Sequence, residues 1–145
     1  MAREIKFRAK NVMNGEWVCG DLVHYNHSHT HISIAEKECK EQYFVHPETV
    51  CQFIGIKDNR GREIYEGDIL EYYNDITKKS HVSGHVVYDE YKAAFNIVNP
   101  EDGRHLYIMP TDDGIEPHLN IIGNIHDNPE LLKWTRKLQK TSSIN

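Results

Sequence analysis

Three histidines alternate along one short segment, His27-Ser28-His29-Thr30-His31. In an extended chain His27, His29 and His31 share a face, with neighbouring side chains about 6–7 Å apart. Imidazoles at that spacing can converge on Zn²⁺ or Fe²⁺ when a carboxylate joins them, and Glu36 supplies one. His27, His29, His31 and Glu36 are therefore the candidate metal set, and a metal-dependent enzyme is one reading of the chain. No second histidine motif follows, and a polar strand face or loop accounts for the same residues more simply. No cofactor is expected.

The densest carboxylate group is Glu63, Glu66, Asp68 and Glu71. General acid–base work needs two such groups in a cleft with their pKa values pushed apart. Here Gly67-Asp68 has a structural use, and the glutamates suit the solvated side of strands. No Gly-x-Ser-x-Gly elbow, phosphate-binding glycine loop or dinucleotide fingerprint occurs. Catalysis is thus not the favoured reading. Binding chemistry is better represented. Tyr65, Tyr72, Tyr73 and Tyr88 cluster along the expected strands, where exposed rings can grip a peptide or stack on bases. Lys57, Arg60 and Arg62 surround one turn, and Lys78 and Lys79 follow another. Together they form the candidate nucleic-acid surface.

Those side chains must be carried by strands. Ile5, Phe7 and Ala9 alternate with charged residues, the period-2 pattern of a half-buried strand. Asn14-Gly15 suits a hairpin turn, and 16–19 returns. Gly20-Asp21 reads as a further turn, followed by an extended piece over 22–25. Residues 26–46 are an excursion of mixed character. Thr49 to Ile54 is β-branched and aromatic, a strand. Gly55-Ile56-Lys57-Asp58-Asn59-Arg60-Gly61 then reads as a strand running into a turn. The glycine at Gly67 permits a sharp corner before Asp68, whose carboxylate can hold nearby amides. More strands are expected over 69–73, 85–88, 94–98, 104–109 and 118–125. Asn128-Pro129-Glu130 is a helix start, and Leu131, Trp134 and Leu138 form one apolar stripe, giving a helix over about 129–140.

The chain has 145 residues, 39% hydrophobic and 27% charged, enough for one domain with a real core. No apolar run approaches the length of a membrane helix, and the N-terminus alternates where a signal peptide would be uniformly apolar. A cytoplasmic protein is expected. Cys19, Cys39 and Cys51 have no metal or disulfide spacing. A formal charge of −5 disfavours binding to phosphate backbones.

Four segments in order resemble the YopX family of phage and prophage proteins. They are 4–9 (EIKFRA), 49–55 (TVCQFIG), 57–61 with 64–69 (KDNRG and IYEGDI) and 122–131 (IGNIHDNPEL). Cys51 stands where a small residue such as glycine is usual, and 24–43 matches poorly. The resemblance implies an SH3-like barrel with additional strands, a phage origin and a role without an established active site. The residues expected to be structural are Gly55, Gly61, Gly67, Asp68, Gly123, Asn128 and Pro129. The expectation is a mainly β protein: an SH3-like barrel over about 46–98, a variable excursion and a C-terminal helix, in one domain spanning 1–145. Its expected role is a non-catalytic accessory module binding another protein. Self-association through edge strands is a second expectation.

Overall fold

A computed structural model describes residues 3–25, 32–36 and 41–132. Its strands are β1 (Phe7–Lys10), β2 (Trp17–His24), β3 (Ile32–Ala35), β4 (Gln42–Phe44), β5 (Cys51–Lys57), β6 (Glu63–Tyr65), β7 (Asp68–Asn74), β8 (Lys79–Asp89), β9 (Ala94–Val98), β10 (His105–Leu106) and β11 (Leu119–Asn124). The protein is mainly β, as expected. Two compact units divide the chain, Met1–Gly55 and Ile56–Asn145.

In the first unit the order is β4-β3-β2-β1-β5, all antiparallel. Asn14-Gly15 makes the expected turn between β1 and β2, with the Gly15 N–H on Asn11 O at 2.8 Å. The alternation of β1 buries Ala9 completely, beside Ile34 and Val45, with Phe7, Val18, Leu22 and Val50 packed against them. Gly20-Asp21 is not a turn. β2 runs straight through it, and Gly20 is needed because the backbone of β3 comes close: a Cβ there would lie 2.0 Å from Ala35 O. The excursion is also more regular than its composition suggests. Its described parts supply β3 and β4, paired from Ser33↔Phe44 to Ala35↔Gln42. The strand expected from Thr49 begins at Cys51, because Pro47–Thr49 is a single 3-10 turn.

In the second unit the order is β10-β9-β8-β7-β11, again antiparallel. β11 is the strand expected over 118–125, and it lies beside β7. Gly61 and Gly67 have φ of 78° and 81°, the left-handed values their turns require. The Gly67 N–H bonds Val86 O, and Gly67 O accepts the Ile125 N–H, each at 2.9 Å. Asp68, almost wholly buried, accepts the Tyr65 N–H at 2.8 Å, the role its sequence position suggests. Gly55 also has a positive φ, 91°, inside β5. Ile64, Ile69, Leu70, Val86, Ile97 and Leu119 are buried apolar residues of this unit. The sheet is interrupted by register shifts at Leu70/Glu71 and Ile121/Gly123, bulges of the kind compatible with an SH3-like barrel.

Gly84 repeats the device of Gly20: a Cβ would lie 2.0 Å from Val98 O. Gly123 leaves room for Asn128, whose Oδ1 accepts the Asn124 N–H at 3.3 Å. Asn128 therefore reaches back into the preceding turn, and its carbonyl accepts the Leu131 N–H at 3.1 Å where the helical residues begin. Helical residues begin at 130; Trp134 and Leu138, and most of the expected helix, lie outside the described residues. No helix among the described residues is long and apolar enough to cross a membrane.

Candidate binding cleft

The second unit holds a cleft of about 560 Å³, within the range of small-ligand sites. Tyr72 is one of its lining residues. On β7 it pairs with His81 of β8 and with Leu119 of β11. Its ring lies 5.6 Å from those of both His81 and His118. Ile97 and Leu106 come from β9 and β10, and Tyr107 and Met109 from the unpaired chain that follows. Leu106, Tyr107 and Met109 are 41%, 66% and 76% exposed. These three apolar side chains stand on the edge strand of the sheet and its continuation.

The remaining wall is the loop before β11, which the backbone pins firmly. The Lys57 N–H bonds Gly114 O, and the Glu116 N–H bonds Lys57 O, both at 2.9 Å. Thr111 donates its hydroxyl to Asp113, which also accepts the Ile115 N–H; these bonds hold the Asp113 carboxyl below its ordinary pKa. Glu116, 7% exposed, accepts the Met109 N–H on Oε2 and the His118 N–H on Oε1, each at 3.1 Å. His118 Nδ1 lies 3.5 Å from Asp75 Oδ2.

A second polar cluster holds the β8–β9 turn. Asp89 Oδ1 accepts the Tyr91 and Lys92 N–H groups, Oδ2 accepts the Asn96 amide at 3.1 Å, and Asn96 Oδ1 meets His105 Nδ1 at 2.9 Å. Burial works to raise the Asp89 carboxyl, but Asn96, the two amides and His105 together hold it below its ordinary value.

Of the four candidate tyrosines, Tyr72 lines the cleft. Tyr73 is half-buried on β7. Tyr88 is exposed and packs edge-on against Phe95. Tyr65 is 5% exposed, a core ring with no face to offer a partner. The candidate cations divide between two turns. Arg60 and Lys57 are exposed beside Gly61, and Lys78 and Lys79 lie at the β7–β8 turn. Arg62 is bound: its guanidinium meets Asp58 Oδ2, Asn120 Oδ1 and Ile121 O at 2.7–3.0 Å. His27, His29 and His31 lie outside the described residues. Glu36 is described; its charge and that of Glu41, with a hydrogen bond to Glu41 first, push the Tyr43 phenol up to about 12. No group of three metal-ligating side chains occurs among the described residues.

The sequence profile described as YopX protein matches residues 6–133. This chain belongs to the YopX family. The YopX match takes in both units, the Asp58 turn and every residue lining the cleft. The fold is similar to the crystal structure of protein EF1440 from Enterococcus faecalis, with a TM-score of 0.57 and 23% identity over 90% of this chain and 99% of that one. No curated protein matches the chain. The sequence singled out Tyr72 alone among the residues that line the cleft. The strand expected over 104–109 gives Leu106, Tyr107 and Met109 no mark of their own.

Proposed function

We propose that this YopX protein is a phage-encoded accessory factor that acts by binding another protein, without chemistry of its own. The observation that carries this reading is the cleft beside Leu106, Tyr107 and Met109. Single exposed apolar residues are ordinary, but three within four positions, at the end of an edge strand and next to a mostly apolar depression, suit a docking surface. The edge itself adds backbone groups that can pair with an extended segment. The capture of Arg62 by Asp58 takes one cation away from the nucleic-acid alternative. Its phage origin is drawn from the resemblance of its four sequence segments.

A photo-crosslinking residue placed at Tyr107, in host cells expressing the full chain, tests the reading. A discrete protein adduct from position 107, absent when the probe replaces exposed Arg60, is the expected result. Adducts from position 60 alone, or adducts removed by nuclease, would point to the nucleic-acid reading instead. Leu106→Asp and Met109→Asp should each weaken capture about tenfold, the loss typical of an interface anchor. Because both side chains are exposed, stability should change by less than about 0.5 kcal/mol. A large fall in stability would show these residues to be core and not interface.

A further inference from the structure

We propose that the cleft receives a lysine side chain of the partner protein, with its apolar stem along Ile97, Leu106 and Leu119 and its ammonium at Glu116. This rests on the protein-binding reading and names the chemistry of the group recognised. The starting point is the charge on the cleft wall. Glu116 is 7% exposed, and both its oxygens accept backbone N–H groups, so both are fixed at the cleft wall as acceptors. No lysine or arginine lines the cleft, and none among the described residues forms an ion pair with Glu116. A buried carboxylate is ordinarily paired with a cation. Here each oxygen has accepted one N–H and keeps a second lone pair for another donor.

The walls fit the rest of such a side chain. Lysine carries a four-carbon apolar stem that packs against apolar surface while its head seeks a charge. Tyr72 and Tyr107 supply ring faces, which attract ammonium groups. Tyr107 already holds one: Lys92 Nζ donates to the Tyr107 hydroxyl and lies 4.6 Å from the ring centroid, although Lys92 does not line the cleft. Asp75, beside His118, adds a second negative group nearby. The formal charge of −5 favours approach by a basic partner. A neutral apolar occupant would leave Glu116 desolvated and without a counter-ion, so it is the poorer match.

The test compares two probes of equal stem, n-butylammonium and n-butanol, titrated into the full-length protein at constant ionic strength and followed by amide NMR. Butylammonium should shift the Met109 and His118 amide signals saturably, because those N–H groups share Glu116. Butanol should bind about tenfold more weakly, the factor a ring-plus-carboxylate site gives a cation. Glu116→Gln should abolish the preference. Tyr107→Ala, at an exposed ring that leaves the fold intact, should weaken butylammonium more than butanol. Equal shifts from both probes, or a preference that survives Glu116→Gln, would overturn the lysine assignment while leaving an apolar docking cleft. Absence of shifts from either probe would overturn the assignment and the cleft as docking surface together.

Discussion

Asp58→Ala is expected to lower the unfolding free energy by about 2–3 kcal/mol, the cost of leaving several N–H donors without their shared acceptor; the Arg62 side chain, 45% exposed, can turn to water. Asp58 has no exposed surface. Its Oδ1 accepts the N–H groups of Arg60 and Arg62 at 3.0 and 2.9 Å. Its Oδ2 accepts Arg62 Nε at 3.0 Å and the Ile121 N–H at 3.1 Å. One carboxylate thus closes the turn after β5 and fastens it to β11. Arg62 completes the knot through Asn120 and Ile121, and Asn120 in turn donates to Glu71 at 3.2 Å. Alanine would strand the buried amides and leave the guanidinium without its anion. Asparagine would fare little better, since every group around the carboxylate is a donor and its NH₂ must face one of them. Urea unfolding at neutral pH checks the value; a loss under about 1 kcal/mol would mean that water replaces the carboxylate at little cost.

The same knot fixes a pH dependence. Burial by itself would raise the Asp58 carboxyl, but the amides of Arg62, Ile121 and Arg60 and the Arg62 charge outweigh it and hold the carboxyl below its ordinary value. The folded protein therefore binds this proton less readily than the unfolded chain. The stability it contributes is complete above the unfolded value of about 4 and is lost as pH falls through the lower folded value. Stability curves of wild type and Asp58→Ala should converge in acid. A constant gap between them down to strongly acidic pH would place the effect in packing and not in charge.

Local chemistry made much of this fold readable. Asn14-Gly15, Asp58 to Gly61 and Gly67-Asp68 are short motifs whose turns depend on their own residues, and each takes its expected form. Long-range chemistry was not readable. Asp58 has the sequence of a turn residue, yet its partners at Asn120 and Ile121 lie about sixty positions away, and nothing local announces them. Alternation identifies that Tyr72 and Tyr73 face opposite ways but does not decide which face is wet, nor that Tyr65 turns into the core. Glu116 sits in a loop whose composition is that of any solvated loop, and becomes distinctive only when Met109 and His118 close on it. Glycine is ambiguous in a different way. It marks both a turn and a close backbone approach, which is why Gly20 resembled a turn and proved to be the interior of β2.

That ambiguity makes Gly84→Ala a sharp experiment. The added Cβ would stand 2.0 Å from Val98 O and 2.6 Å from its carbonyl carbon, atoms of the backbone that no rotamer change can withdraw. The end of β9 must lift from β8, and the backbone φ of 135° disfavours a side chain as well. Overpacking of this kind costs about 1–3 kcal/mol, and the upper end is expected where the obstacle is main chain. The strain has a direction. Val98 leads into Asn99, whose N–H bonds Arg104 O at 2.9 Å and whose carbonyl accepts the Gly103 N–H at 3.0 Å. That turn sets β10 against β9, so displacement at Val98 moves Leu106 and opens the cleft. Hydrogen exchange should show lost protection from about 96 through 106 together with weaker butylammonium binding. Gly103→Ala is the control: its φ is 67° but nothing lies within 4 Å of the new Cβ, so it should cost only about 1 kcal/mol of backbone strain. Equal losses at the two positions would mean that backbone conformation, and not the proximity of Val98, is what requires glycine at 84.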